Sequence, residues 1–235
     1  MIWFGMGLLL IIWMVIYPVT DLYIRFIAPD VIRGGKSHES KVCLTFDDGP
    51  DPYYTPRVLQ FLKEQKVPAV FFLVGAKVSL YPDLVRQIIA EGHEIGLHTF
   101  YHQHAYWLGW TKSYDTVVKN CCIIKETTGK TVIWFRPPWG AVNLFQFIIA
   151  SQLKLKLVLW TANARDWRVR TGATGILRRL QRKVGDDAII VLHDSGGQLK
   201  APENTLLALP RFIRNAKEQG FIFATLKDMV GRRLK

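Results

Sequence analysis

The sequence lacks the signatures of several common enzyme classes. It contains no G-x-S-x-G, H-E-x-x-H or Walker A segment, which argues against elbow-type serine hydrolases, zincin proteases and P-loop nucleotide hydrolases. A D-x-D phosphatase would need an aspartate at position 49, where glycine stands. No internal repeat, low-complexity tract or nucleic-acid-binding motif is present either. Nothing therefore indicates a second domain or a nucleic-acid partner.

Cysteine is scarce. There are three cysteines, Cys43, Cys121 and Cys122, and two of them are adjacent, so no disulfide framework is implied. Cys43 lies in an apolar run, which favours a core position over a ligand role. The chain has 235 residues, 49% of them hydrophobic, which is enough for one sizeable domain with a full core.

Charge is missing from the start of the chain. Residues 1–20 contain no charged side chain. As a helix rising about 1.5 Å per residue, this segment is long enough to span a hydrocarbon core of about 30 Å. It lacks the basic n-region and the A-x-A site of a cleaved signal peptide. We therefore predict a transmembrane anchor at residues 1–28, a linker at 29–40 and one domain at 41–235.

Basic residues outnumber acidic ones, 31 to 19, which gives a net charge of +12. This surface favours anionic partners such as wall polymers or phospholipid headgroups. Arg25, Arg33, Lys36 and Lys41 follow the apolar segment, and no basic residue precedes it. By the positive-inside rule this distribution places the domain on the cytoplasmic side.

Apolar runs of strand length alternate with helix-like segments along the rest of the chain. Strands spaced in this way predict a parallel sheet of the α/β class, and seven of them can close into a (β/α) barrel. The runs lie at residues 42–46, 69–74, 94–97, 132–135, 155–160, 188–192 and 221–224.

Chemically reactive side chains fall at the ends of these runs. Asp47 and Asp48 follow the first, and His98 and His102 follow the third. The segments "FRPPWG", "ARDW" and "VLHD" follow or close the fourth, fifth and sixth. Since active sites of (β/α) barrels lie at the carboxyl ends of the strands, these residues are predicted to form one site.

A metal explains the paired carboxylates. His98 and His102 are spaced i, i+4, which puts both imidazoles on one face if the stretch is helical. Two histidines and one carboxylate make a catalytic metal site with open positions, and the cation offsets the repulsion between Asp47 and Asp48. Zinc is the first choice, and cobalt, nickel or manganese suit similar ligands. His93 and His104 are predicted to be structural or exposed.

Five segments together resemble a known family. "TFDDGP", "HTFYH", "RPPWG", "RDW" and "VLHD" are similar, in this order, to the five motifs of the polysaccharide deacetylases, carbohydrate esterase family 4. The resemblance covers roughly residues 40–230. It implies a distorted (β/α)7 barrel that removes N-acetyl groups from glycans containing N-acetylglucosamine, such as peptidoglycan, chitin-like polymers or another envelope polysaccharide.

The resemblance also implies roles for individual residues. Asp47 would be the catalytic base and His193 the general acid, with Arg136 and Asp166 as their respective partners. The metal ligands would be Asp48, His98 and His102. Substrate contacts would come from Tyr53, through its backbone N–H, and from Pro138, Trp139, Trp167, Val191 and Leu192.

Some features leave alternatives open. Asn163 stands where relatives often carry an additional aspartate, and the loop "HQHAYWLGW" is unusually aromatic. That loop could stack on sugar rings, rest on a membrane or pack the barrel rim. The family's usual substrates favour a single-pass protein whose domain lies outside the cell membrane, against the positive-inside rule. A domain on the cytoplasmic side would instead meet a lipid-linked sugar, and an inactive glycan-binding module is the further alternative.

Overall fold

The computed structural model of the protein describes residues 17–35 and 39–230. Within them the chain forms eight strands, and every strand pair is parallel. The strands are β1 (Lys41–Asp47), β2 (Ala69–Leu73), β3 (Glu94–Leu97), β4 (Trp134–Phe135), β5 (Lys156–Leu157), β6 (Ala162–Asn163), β7 (Ala188–His193) and β8 (Ile222–Phe223).

Helices connect the strands and cover the outer face of the sheet. They are α1 (17–26), α2 (Tyr54–Gln65), α3 (Gly75–Leu80), α4 (Pro82–Ala90), α5 (Trp110–Thr128), α6 (Leu144–Gln152), α7 (Gly172–Lys183), α8 (Ala201–Glu218) and α9 (Leu226–Val230). Short 3₁₀ turns lie at Ala105–Trp107, Pro138–Gly140 and Val169–Thr171.

The sheet confirms the predicted parallel α/β architecture. Its order is β5-β4-β3-β2-β1-β7-β6, and β8 pairs with the start of β1. Each of the seven predicted runs contains a strand, whereas β6 (Ala162–Asn163) lies outside all of them. Across the described ranges no pairing joins β5 to β6, so the sheet is consistent with a distorted, incompletely closed (β/α)7 barrel.

Alternation along the central strands separates two apolar layers. Val42, Leu44 and Phe46 of β1 pack in the core shared with the covering helices, whereas Cys43 belongs to a second cluster on the opposite face. Successive side chains of a strand point to opposite faces, so Asp47 shares the inner face with Cys43. All three cysteines are free thiols.

The N-terminal segment continues into a helix packed on the domain. Residues 1–16, most of the predicted anchor, lie outside the described residues, and no described helix is long and apolar enough to cross a membrane. In α1 and just after it, Ile24 and Ala28 are 1% exposed and join the main core. Asp21 accepts a hydrogen bond from the Val142 N–H at 3.0 Å. Residues 17–28 therefore lie against the remainder of the domain.

The end of α1 is held by one arginine of the predicted linker. The Arg33 guanidinium donates to the carbonyl oxygens of Ile24, Arg25, Ala28 and Val31. These bonds satisfy carbonyls that have no partner within the helix. Ile32, next to this arginine, forms a parallel bridge with Val158. This part of the linker is thus joined to the sheet edge.

Candidate active site

The last residues of two neighbouring strands lie side by side. Asp47 ends β1, His193 ends β7, and the two are partners in the parallel register. Because register partners point to the same face, both side chains reach one cavity of ≈ 350 Å³. The cavity is lined by Asp47, Asp48, His98, His102, Trp139, Trp160, Asn163, Trp167, Val191, His193 and Gly197.

Three donor side chains meet at one edge of this cavity. The Oδ1 atom of Asp48 lies 3.2 Å from Nε2 of His98 and 2.9 Å from Nε2 of His102. One ligand atom from each residue lies within 4.8 Å of the others. Nδ1 of His98 is 2.7 Å from the Arg136 carbonyl oxygen, so it donates there and leaves Nε2 free to bind a cation.

The charge state of this group also suits a divalent cation. Burial would raise the pKa of Asp48, but the close approach of the His102 and His98 imidazoles to its carboxylate outweighs this effect and holds that pKa well below its usual range. An ionised carboxylate and two imidazole nitrogens form the donor set of a three-ligand catalytic metal site. The residues therefore fit the predicted cation.

The stretch that carries the two histidines is not helical, so the condition attached to their i, i+4 spacing is not met. Residues 98–104 form an irregular turn, in which Thr99 and His102 have φ values of 60° and 51°. The Asn120 side-chain amide holds this turn through hydrogen bonds to the carbonyl oxygens of Thr99, at 2.8 Å, and Leu73, at 3.0 Å. A tight left-handed turn, and not a helix face, brings the two imidazoles within 5.2 Å of each other, between ring centroids.

Asp47 is held by a fully buried arginine. Nη1 of Arg136 donates to Oδ1 of Asp47 at 2.7 Å and to Oγ1 of Thr45 at 2.5 Å. Nε donates to the carbonyl oxygen of Val158 at 3.2 Å, and Nη2 donates to that of Leu159 at 3.1 Å. A buried arginine is tolerated only with such partners. The network fixes the carboxylate at the cavity wall.

His193 is held by Asp166 through two bonds. Asp166 accepts from the His193 backbone N–H at 2.7 Å and lies 2.8 Å from Nδ1 of the same residue. Thr205 donates to this carboxylate at 3.0 Å. Burial lowers the pKa of His193, but the negative charge and hydrogen bond of Asp166 outweigh it and raise that pKa to about 9. At neutral pH the imidazole is protonated, and Nε2 is its nitrogen available to the cavity.

Aromatic side chains wall the rest of the cavity. Trp139 adopts a φ of 56°, and its ring lies 4.6 Å from that of His102. The Trp167 ring lies 5.5 Å from that of His193, edge to face. At Gly197, whose φ is 68°, a Cβ would lie 2.8 Å from the Cβ and the carbonyl oxygen of Trp167, so glycine alone lets this loop approach the Trp167 backbone. The cavity thus combines ionised groups on one side with apolar rings on the other.

Three predicted substrate contacts do not line the cavity. Leu192 is fully buried in the core shared with the helices, because it alternates with Val191, which does face the cavity. Pro138 is buried within the 3₁₀ turn that carries Trp139, and it is not among the lining residues. Tyr53 is 62% exposed, and its N–H, predicted to face the substrate, already donates to Oδ1 of Asp51 at 2.9 Å.

Other lining residues were not predicted. Trp160, Asn163 and Gly197 also line the cavity. Asn163 is the position at which the sequence departs from the family pattern. The signals were a tryptophan at the end of the fifth run and the Gly-Gly pair after "VLHD". His93 and His104 accept backbone N–H bonds and lie outside the donor group, as expected.

A base, a protonated histidine and a three-donor group in one cleft of a parallel α/β barrel are typical of metal-assisted hydrolases. A sequence profile described as polysaccharide deacetylase matches residues 34–158. A peptidoglycan-N-acetylglucosamine deacetylase from Bacillus cereus is 34% identical over 200 residues, which cover 83% of this chain and 90% of that protein.

Solved structures show the same likeness. The Bc1960 peptidoglycan N-acetylglucosamine deacetylase, in complex with 4-naphthalen-1-yl-N-oxidanyl-benzamide, matches with a TM-score of 0.81 and 29% identity over 85% of this chain and 92% of that one. BA3943 from Bacillus anthracis, a CE4 family pseudoenzyme, matches with a TM-score of 0.78 and 28% identity over 88% and 70%. The chain belongs to the polysaccharide deacetylase family.

Proposed function

We propose that this protein is a metal-dependent deacetylase that removes N-acetyl groups from N-acetylglucosamine units of peptidoglycan. The observation that carries the proposal is the convergence of the Asp48 donor group, the Asp47–Arg136 pair and the His193–Asp166 pair on one cavity. The printed name of the Bacillus cereus relative supports peptidoglycan as the glycan.

Asp48, His98 and His102 would hold the cation, with zinc as the first choice and cobalt, nickel or manganese as alternatives. When bound, the cation would supply Lewis acidity to an amide carbonyl and make nearby water more acidic. The side chains of the cavity perform the remaining steps.

Asp47 acts as the general base. Its Oδ1 is committed to Arg136, which leaves the second carboxylate oxygen at the cavity wall to take a proton from the attacking water. Arg136 is a positioning residue because it contacts Asp47 and lies buried behind it.

His193 acts as the general acid. Its Nδ1 donates to Asp166, and Nε2 gives its proton to the amide nitrogen as the carbon–nitrogen bond breaks. The elements of water are thereby divided between the two products, acetate and the free amine of the sugar. Trp139, Trp160 and Trp167 offer apolar surface to the methyl group and to the sugar ring.

We further propose a single-pass membrane protein whose catalytic domain lies outside the cell, where peptidoglycan is found. The basic residues after the apolar segment oppose this orientation. Protease accessibility on intact cells tests it. A fully protected domain would overturn it and would favour a lipid-linked sugar as substrate.

The direct test is acetate release by the metal-loaded full chain, with peptidoglycan and N-acetylglucosamine oligomers as substrates. Asp47→Asn is the matched control. Release by the unmodified protein alone establishes the deacetylase, and the rates rank the two glycans. Absence of release on both, with metal and glycan bound, would instead identify a glycan-binding module.

A further inference from the structure

One face of α1 and of the turn residue that follows it exposes a row of large apolar side chains. The residues on this face that are at least 47% exposed are here called the α1 stripe: Val19, Leu22, Tyr23, Phe26 and Ile27. Their spacing is i, i+3, i+4, i+7, i+8, which is one side of a helix. Scattered apolar residues are normal on surfaces, but a contiguous apolar face marks an interaction site.

The charges of α1 lie on its other side. Asp21 is 9% exposed and accepts from the Val142 N–H, and Arg25 donates to the Gly140 carbonyl oxygen at 2.9 Å. Asp21 and Arg25 also pair with each other, at 3.3 Å. The α1 stripe therefore carries no charged group that would lose its hydration if the face left water.

We propose that the α1 stripe lies on a lipid bilayer, at the level of the headgroups. The chain that leads into it points to lipid as the occupant, because residues 1–16 carry no charged side chain and end three residues before the first residue of the stripe, Val19. The net charge of +12 complements anionic headgroups. A helix that presents one apolar face, with its charges on the other side, is suited to this interfacial position.

This contact would place the cavity beside the membrane. A series of ring contacts leads from α1 to the cavity. Between ring centroids, Tyr17 lies 4.2 Å from Tyr106, Tyr106 lies 4.7 Å from His104, and His104 lies 5.1 Å from Trp139. Trp139 lines the cavity. Because Asp21, Arg25 and these ring contacts join α1 to the cavity rim, the stripe and the cavity form one body.

A fluorescent probe in the full chain tests the contact. All probe variants carry Cys122→Ser, which removes the exposed thiol. Labelling of the Cys122→Ser protein alone measures the background reaction of Cys43 and Cys121. NBD is then attached to Phe26→Cys or Leu22→Cys in the stripe. The matched control is Leu207→Cys on α8, which is 63% exposed. Thermal unfolding verifies that each labelled chain folds.

The protein is reconstituted into vesicles of phosphatidylcholine with a minor fraction of phosphatidylglycerol. We expect the stripe probes to shift to shorter wavelength and to be quenched most by lipids that carry a nitroxide near the headgroup, since an interfacial helix is buried by about 5–10 Å. The probe at position 207 should show neither change.

Three results would overturn the proposal. Stripe probes that behave like the position 207 probe would show no docking. A shift without quenching would mean that residues 1–16 or a second copy of the chain covers the stripe. Strongest quenching from the ends of the acyl chains would place α1 within the hydrocarbon core. None of these measurements depends on deacetylase activity, so the test is independent of the proposed function.

Discussion

Arg136 and Asp47 form a buried ion pair, in which Nη1 of the arginine lies 2.7 Å from Oδ1 of the aspartate. The side chain of Arg136 is 0% exposed and that of Asp47 is 4% exposed. Two ions removed from water in this way are stable only through their mutual attraction and further hydrogen bonds. The pair therefore both contributes to the stability of the barrel interior and fixes the position of the proposed base.

Arg136→Met should lower the free energy of unfolding by about 3–5 kcal/mol, because it leaves Asp47 as a buried carboxylate without its partner. Urea denaturation followed by circular dichroism measures the loss. The double variant Arg136→Met/Asp47→Asn should be more stable than Arg136→Met alone, since the unpaired charge is gone. A double variant that is less stable would contradict the pairing argument.

Asp47→Asn should keep the metal and lower kcat by about 10²–10⁴-fold, since a positioned base contributes this much. His98→Ala should lose both metal and activity because it removes one of three ligands. Metal content after dialysis, measured beside acetate release, separates the two effects. An Asp47→Asn protein with normal turnover would remove Asp47 from the proton transfer.

Asp166→Asn should move the alkaline limb of the kcat–pH profile to lower pH. Asp166 raises the pKa of His193 to about 9, from an ordinary value of 6.5, so the proton of the general acid is lost as the pH rises through about 9. The variant removes the main cause of this increase and leaves burial, which lowers the pKa. An alkaline limb at the same pH in both proteins would contradict the role of His193 as acid.

The same shift has a consequence for stability. The folded-state pKa of His193 lies above its ordinary value, so the protonated pair with Asp166 stabilises the fold fully below pH 6.5. This contribution is lost as the pH rises through about 9. Unfolding free energies between pH 6 and 10 should fall less steeply in Asp166→Asn than in the unmodified protein.

The order of chemical motifs predicted most of the cavity. Asp47, Asp48, His98 and His193 each follow or end an apolar run, and parallel strands bring their carboxyl ends to one side of a barrel. This inference depends only on strand ends and not on the connecting loops. It therefore succeeded although the segment that carries the two histidines is an irregular turn and not a helix.

Two kinds of feature were not predicted from the sequence: the face of the strand to which an individual residue points, and contacts between residues far apart in the sequence. Val191 and Leu192 were both assigned to the substrate slot, although neighbours on a strand face opposite ways. β6 pairs Ala162 and Asn163 with β7 but lies outside every apolar run of the sequence. The bond from Arg25 to Gly140 joins positions 115 residues apart, and no local pattern encodes such a pair.

That distant bond gives the last prediction. Arg25→Ala removes the donor that fixes the Gly140 carbonyl, next to Trp139 at the cavity wall. Trp139 takes no part in the hydrogen bonds that hold Asp47 and His193. Loosening of its loop should therefore weaken substrate binding while the proton transfers continue. We expect KM to rise about 2- to 10-fold, the equivalent of one net hydrogen bond of about 0.5–1.5 kcal/mol, with kcat nearly unchanged.

Steady-state kinetics on N-acetylglucosamine oligomers measure this split between KM and kcat. Arg86→Ala is the matched control, because Arg86 is an exposed arginine whose ion pair with Asp83 lies within α4. Arg25→Lys should recover part of the binding, since a lysine ammonium can still donate to the carbonyl. If Arg25→Ala and Arg86→Ala change kcat and KM by the same factors, Arg25 does not position the Trp139 loop. In that case α1 only stabilises the fold.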